Sequence, residues 1–406
     1  LKKIVVVGGG HAAAQFCAAV LETKQAVEIT LITEETYLPY QRPPLSKTYI
    51  KEDDPQPAWL RPASFYADNQ INIYMNSCVT ALHREEKSIS VNSGDRFSYD
   101  VLVLAIGTRA RVHDLFDTRR YSNVFTLRNM DDANGLRAQM GDARNVLVIG
   151  GGFIGLEIAA TSRAMGKNVS VLEAAPRLLG RSVSTEVSDY LLNKHRSEGV
   201  EILLDAKVDK VDEQDGRVTA AWVGDTRYDA DVVVVGIGAV PNVELAQAAG
   251  LECDNGIMVN SFMQTSDEAI YAIGDCTNFP YEALSCRLRL ESVQNANDQA
   301  RCAARAIFDD PMPYTALPWF WSDQGRVRIQ IAGVPHASHV RLVRGNPADD
   351  KFSVLYFDDN KLTCTESVNM PIDHMAARKL ISTAIQVDPG QAADPQVALK
   401  SLSQAS

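Results

Sequence analysis

Short, fully apolar runs that end in glycine and pass into alanine-rich segments occur twice along this chain, in the same order. Ile4-Val5-Val6-Val7 leads into Gly8-Gly9-Gly10-His11-Ala12-Ala13, and Val146-Leu147-Val148-Ile149 leads into Gly150-Gly151-Gly152-Phe153-Ile154-Gly155. Continuous β-branched runs of this length predict strands covered on both faces, and the segments after the turns predict helices packed on them. A second strand ending in an acid follows each, Val27 to Glu34 and Val169 to Glu173. A third pair, Tyr99 to Gly107 and Asp231 to Gly238, closes both halves. A duplication that keeps its order predicts an α/β protein with two Rossmann-like, doubly wound units. Residues 201–235 instead alternate like short strands, with a hairpin signal at Asp215-Gly216. After about residue 315 the pattern changes again: a strand over 352–357, a turn at 358–360, a strand over 361–364 and a helix over 373–385. This predicts a third, α+β domain with a loosely held tail beyond Val387.

The two glycine turns carry the chemistry. Gly8, Gly10 and Ala13 fit G-x-G-x-x-A: a tight turn, a close backbone approach to a pyrophosphate, and a small residue where helix meets strand. Ala12 opens the helix beside them, and Glu34 is placed to accept from ribose hydroxyls. Gly150, Gly152 and Gly155 form the full G-x-G-x-x-G, with Ile154 inside it and Glu173 as the acid. A glutamate there welcomes a 2′-hydroxyl and repels a 2′-phosphate, so NADH is favoured over NADPH; Arg177 and Arg181 nearby qualify that preference. Two such sites in one chain assign a permanent FAD to the first and an exchanging nicotinamide to the second. Tyr271-Ala272-Ile273-Gly274-Asp275 supports the assignment by presenting a carboxylate to the ribityl chain.

Composition narrows the function classes. The 406 residues carry 40 Lys and Arg against 51 Asp and Glu, a formal charge of −11 that disfavours a nucleic-acid partner. Seven scattered cysteines without a C-x-x-C indicate reduced thiols and a cytoplasmic setting, and exclude a thioredoxin-type dithiol. The N-terminus enters a strand at once, without a signal-peptide progression, and no apolar run is long enough for a membrane span. His336 and His339 approach ligand spacing but lack a Cys or carboxylate cluster, so no metal is expected. Trp319 and Trp321 flank Phe320 in an alternating segment, which places both on one side of a strand.

With these motifs in view, the chain resembles the FAD-dependent NADH:ferredoxin reductases of bacterial oxygenase systems, the putidaredoxin-reductase and biphenyl-dioxygenase-reductase type. The resemblance runs end to end. It is most specific at Pro39 to Lys47, Gly150 to Glu157, Gly236 to Asn242, Leu290 to Ala296 and Pro318 to Gln324. It implies a glutathione-reductase-like fold with a discontinuous FAD-binding domain over 1–110 and 240–315, an NADH-binding domain over 111–239 and a C-terminal domain over 316–406. It implies FAD contacts at Ala12, Glu34, Lys47, Val79, Arg128, Asp275 and Val293, with Arg42 beside them, and NADH contacts that include Glu157, Arg181 and Gly238. Lys47, Glu157 and Trp321 are the residues it places nearest the reacting atoms. Hydride would pass from NADH to FAD, and single electrons onward to a small [2Fe–2S] ferredoxin of Rieske or adrenodoxin type. Arg287 and Arg289 would line its docking area, and the enzyme would be a monomer or weak homodimer. Two departures are Glu34 where Asp is common and Ala105-Ile106-Gly107 in place of Ala-Thr-Gly. A rubredoxin reductase, an NADH oxidase and an NADH-sensing interaction protein akin to apoptosis-inducing factor remain alternatives on the same scaffold.

Overall fold

The computed structural model describes residues 1–308 and 310–402. The backbone divides into two compact units: residues 1–41, 57–109 and 239–316 form the first, and 42–56, 110–238 and the chain from Leu317 onward form the second. Residues 42–56 lie inside the stretch expected to bind FAD, yet they cluster with the second unit.

The first unit is built on a five-stranded parallel sheet in the order Ile270–Ala272, Val101–Leu104, Lys2–Val7, Val27–Ile32, Asn72–Tyr74. Its centre is Ile4 to Val7, buried on both faces, as the unbroken apolar run requires. Val7 pairs with Ile32 on one side and Leu104 on the other. One neighbour of the central strand is thus the next strand in sequence and the other a much later one, which opens a crevice beyond their carboxyl ends. Gly8 begins there. The helix His11–Glu22 buries Ala12, Ala13, Ala14, Phe16 and Cys17. A three-stranded antiparallel sheet, Val79–His83, Ser88–Val91 and Arg96–Ser98, completes the unit.

The second unit repeats the plan, with parallel strands in the order Val200–Leu203, Asn168–Leu172, Asn145–Ile149, Val232–Val235, Val124–Phe125. The alternating stretch after residue 201 forms the antiparallel Lys210–Gln214, Arg217–Val223 and Thr226–Asp229. Asp215 and Gly216 both take positive φ, 51° and 72°, as a tight hairpin with a right-handed twist demands. The C-terminal part is a five-stranded antiparallel sheet ordered Trp319–Gln324, Val327–Gly333, Lys361–Val368, Lys351–Asp358, Val340–Asn346, with the helix Pro371–Thr383 packed on it.

The tail corrects one expectation. Up to Leu402 it is not loosely held: Val387, Ala392 and Leu399 are buried in a cluster with Leu355, Phe357 and Leu380, the last two of the three tail residues on short helices. Residues 403–406 lie outside the described residues.

His374 makes this domain sensitive to acid. Its imidazole is buried with no hydrogen-bond partner for either ring nitrogen. Burial, aided by the Arg378 charge, pulls its pKa down to about 4. An unfolded chain takes up this proton near its ordinary value of about 6.5, so between those limits the unfolded state binds more protons. Stability therefore falls as pH drops through that window, by up to ~1.4 kcal/mol per pH unit from this residue. His374→Phe should flatten the loss, as read from urea midpoints between pH 7 and pH 4.5. Equal slopes in the two proteins would contradict it.

Candidate functional site

Each glycine turn is shaped by what a side chain would strike. A Cβ on Gly8, at φ +120°, would lie 2.2 Å from the Ala105 carbonyl oxygen, and one on Gly150, at φ +103°, would lie 2.6 Å from that of Gly236. On Gly155 it would meet the Gly150 carbonyl oxygen at 2.2 Å, so the helix Phe153–Ala164 sits as close to its strand as backbone allows. On Gly10 it would meet nothing within 4 Å. The space above this turn could hold a pyrophosphate.

Capping tells the same story. The helices starting at Met130, Thr185 and Val293 are capped by the side chains of Asn129, Ser184 and Ser292. Those starting at His11 and Phe153 begin at Gly10 and Gly152, with no side-chain cap; the helix from Pro371 also lacks one but opens on a proline and not behind a glycine turn. Such a helix start behind a glycine turn, at the positive end of the helix dipole, is suited to an anion.

In the first unit the remaining candidates gather round the turn. Glu34 is exposed at the end of its strand, and its carboxylate accepts no hydrogen bond from the described residues. The Gly274-Asp275 turn lies against the helix start, because a Cβ on Gly274 would sit 3.1 Å from the Ala12 methyl and 3.8 Å from that of Ala296. Gln299 holds the turn by accepting from the Gly274 N–H at 2.7 Å. This brings Ala12, Asp275 and the helix opened by Val293 together. Val79 is half-buried in the neighbouring antiparallel sheet.

Arg42, Lys47 and Arg128 belong to the second unit, where Arg42 donates to the Arg128 carbonyl at 2.8 Å. Lys47 Nζ meets Glu157 Oε2 at 2.6 Å, with the lysine side chain 20% and the glutamate 5% exposed. The pair forms because the helix Phe153–Ala164 and the segment Pro43–Ser46 are clasped at two places. Ser46 Oγ donates to the same Glu157 oxygen, and Thr161, one turn on, donates to the Ser46 carbonyl at 2.8 Å. The other oxygen, Oε1, accepts from Ser322 Oγ at 2.6 Å. Three donors on one buried carboxylate hold it in a fixed orientation.

Strand alternation explains how Ser322 arrives there. In Trp319–Gln324, Phe320, Ser322 and Gln324 share one face. Phe320 packs edge-on to Phe153 at 4.6 Å, and Ser322 reaches Glu157. Trp319 and Trp321 share the opposite face, stacked at 5.8 Å with 30° between their planes, and Arg378 covers Trp319 at 4.4 Å. Ser46 and Ser322 are the functional candidates that sequence reasoning passed over. Both lie inside the segments singled out for resemblance, and that was the signal available.

Around the second turn, Glu173 accepts from the Gly151 and Ala175 N–H groups at 2.6 and 2.7 Å, so the acid also ties the loop. Ile154 is exposed on the first turn of the helix. Arg177 is committed to the carbonyls of Gly180 and Val183. Arg181 is exposed, and a Cβ on Gly238 would be 3.9 Å from its Nη2.

Arg287 and Arg289 are anchored locally. Arg287 donates to the Asn278 side chain and to the carbonyls of Asn278 and Val259, bracing the hairpin it sits in, and Arg289 pairs with Glu291 at 2.6 Å. Arg287 is exposed and meets no carboxylate among the described residues, whereas Arg289 is paired. All seven cysteines are free. Burial pushes the Cys17 and Cys276 thiols up to about 12, so neither supplies a thiolate at neutral pH. Among the described residues no group of His, Cys, Asp and Glu is placed to hold a metal ion, and no helix is long and apolar enough to cross a membrane.

Comparison with known proteins agrees with this geometry. Residues 2–300 match the family described as pyridine nucleotide-disulphide oxidoreductase, and residues 319–403 match that described as reductase C-terminal. Rhodocoxin reductase of Rhodococcus erythropolis is 39% identical over 400 residues, spanning 98% of this chain and 93% of that protein. The ferredoxin–NAD(+) reductase component of the anthranilate 1,2-dioxygenase system of Burkholderia cepacia is 39% identical, spanning 98% of each. Among solved structures, the ferredoxin reductase for the CYP199A2 system of Rhodopseudomonas palustris superposes with a TM-score of 0.95 at 40% identity, covering 99% of both chains.

Proposed function

The chain belongs to the pyridine nucleotide-disulphide oxidoreductase family, and from that premise we propose that it is the NADH-dependent, FAD-containing reductase of a ferredoxin that feeds an oxygenase. The observation that carries the reading is the doubled cradle: two uncapped helix starts behind glycine turns, each with its own acid, in a chain whose cysteines are all free. Bound FAD supplies the conversion of a two-electron hydride into the single electrons that an iron–sulfur acceptor takes.

The residues divide the work. Gly8 makes the tight turn, Gly10, Ala12 and Ala13 offer N–H groups and space to the FAD pyrophosphate, Glu34 its ribose contact, and Asp275, Val79 and Val293 further contacts. Arg42 and Arg128 add positive charge in the second unit. Gly150, Gly152, Ile154 and Gly155 form the NADH cradle, with Glu173 on the ribose and Arg181 and Gly238 beside it. Lys47 and Glu157 orient the reacting rings, and Trp321 is the aromatic face nearest the electron exit. The acceptor is a small [2Fe–2S] protein of Rieske or adrenodoxin type, met by a monomer or weak homodimer in the cytoplasm.

FAD-loaded protein should reduce a [2Fe–2S] ferredoxin rapidly with NADH in anaerobic steady-state assays. Faster reduction of a disulfide or of rubredoxin, or slow turnover with a persistent charge-transfer band, would overturn the reading. Coenzyme choice gives a second check. NADH should have the higher kcat/KM, and Glu173→Ala should narrow the gap to NADPH about tenfold by relieving repulsion of the 2′-phosphate. The same variant should raise KM for NADH, because Gly151 and Ala175 lose their acceptor. Comparable constants for both coenzymes in the parent would refute this role.

A further inference from the structure

The buried side of the strand Trp319–Gln324 continues past Ser322 to Gln324 and the helix Thr185–Ser197, all within the second unit. Gln324 Nε2 donates to Ser322 Oγ at 3.3 Å, and Gln324 Oε1 lies 2.8 Å from His195 Nε2. Ser322, Gln324 and His195 are each at most 2% exposed. His195 Nδ1 is buried without a hydrogen-bond partner. A neutral imidazole carries one N–H, and here only Nε2 has an acceptor, so the proton belongs on Nε2. Burial pulls the imidazole pKa down, which keeps this neutral form.

The direction of every bond then follows. His195 Nε2–H donates to the Gln324 carbonyl oxygen, which turns the Gln324 amide nitrogen toward Ser322. Ser322 accepts there, so its own hydrogen points to Glu157 Oε1. Each dipole in the row is aimed at the carboxylate that Lys47 and Ser46 hold from the other side.

We propose that His195, Gln324 and Ser322 are positioning residues of the hydride-transfer site: a one-directional row of donors that fixes the orientation of Glu157 and, through it, Lys47. The inference rests on the reading that Lys47 and Glu157 face the reacting rings. It goes beyond that reading by tying the pair to the strand that also carries Trp321, and to a histidine three steps from the chemistry.

The test reverses the row. Gln324→Glu keeps size and shape but offers Ser322 only an acceptor, so the serine hydroxyl turns away from Glu157. In FAD-loaded protein, stopped-flow reduction by NADH should slow about tenfold, with KM little changed, a loss of about 1.4 kcal/mol in the transition state alone. Ser322→Ala should slow it similarly and Ser322→Thr should restore it. Gln324→Leu, which introduces no charge, covers the case in which the glutamate variant does not fold and should lie between. A second readout needs no turnover: in 15N-histidine-labelled protein at pH 7, His195 should show the neutral Nε2–H tautomer in the parent and lose its Gln324-dependent shift in Gln324→Leu. A parent-like reduction rate in Ser322→Ala, or a charged or Nδ1–H His195, overturns the inference. If Lys47→Ala also reduces at the parent rate, it is the underlying reading of the pair that has failed; if Lys47→Ala alone is slow, only the donor row has.

Discussion

Lys47→Ala should slow the reduction of bound FAD by NADH by about two orders of magnitude while changing FAD retention severalfold at most. The substitution leaves Glu157, 5% exposed, with two serine hydroxyls and no cation. Removing one partner of a buried ion pair costs ~3–5 kcal/mol. That cost falls on the fold, and the rate falls by the part of it that appears only in the transition state; two orders of magnitude ask for ~2.7 kcal/mol of it. FAD retention depends mainly on the glycine turn of the first unit, where Lys47 takes no part. Anaerobic stopped-flow traces at 450 nm and the flavin-to-protein absorbance ratio separate the two effects. An unchanged reduction rate would remove Lys47 from the reacting site.

Gly8→Ala should yield a protein with less than a tenth of its FAD and a lowered unfolding midpoint, whereas Gly10→Ala should lower FAD retention alone. The contrast is geometric. At Gly8 the new methyl would need to stand 2.2 Å from a carbonyl oxygen, in a backbone conformation that costs a non-glycine residue ~1–3 kcal/mol before the clash is counted. The central strand ends there, so relief means moving the end of the sheet. At Gly10, φ is −96° and the methyl meets no protein atom; it occupies only the space left above the turn. Thermal unfolding of apoprotein and equilibrium dialysis with FAD distinguish these outcomes. A Gly10→Ala protein that holds FAD as tightly as the parent would move the pyrophosphate elsewhere.

What the sequence made legible is what neighbouring residues decide. Ile4 to Val7 and Val232 to Val235 had to be strands buried on both faces, and the glycines after them had to turn, because no other residue types satisfy those local demands. Asp215-Gly216 announced its hairpin for the same reason. The donors around Glu157 were not legible, since Ser46 and Ser322 come from segments 111 and 165 residues away from it. A serine in a strand carries no mark of the carboxylate it will meet. The tail misled because Val387, Ala392 and Leu399 are spaced without a helical or strand period among prolines and polar residues. Their burial comes from tertiary packing against Leu355 and Leu380. The local partners of Arg287 and Arg289 were likewise not legible, since Val259 and Asn278 reach Arg287 from other segments of the chain.

The two faces of Trp319–Gln324 also set which lengths of chain are tolerated. Side chains alternate, so inserting or deleting one residue between Trp321 and Ser322 would put the tryptophans on the same face as the serine and glutamine, and one set or the other would lose its place. Natural variation in this stretch should therefore proceed by substitution or by paired, two-residue length changes. The loop from Val334 to His339, where no such alternation is at stake, is free to grow or shrink by single residues.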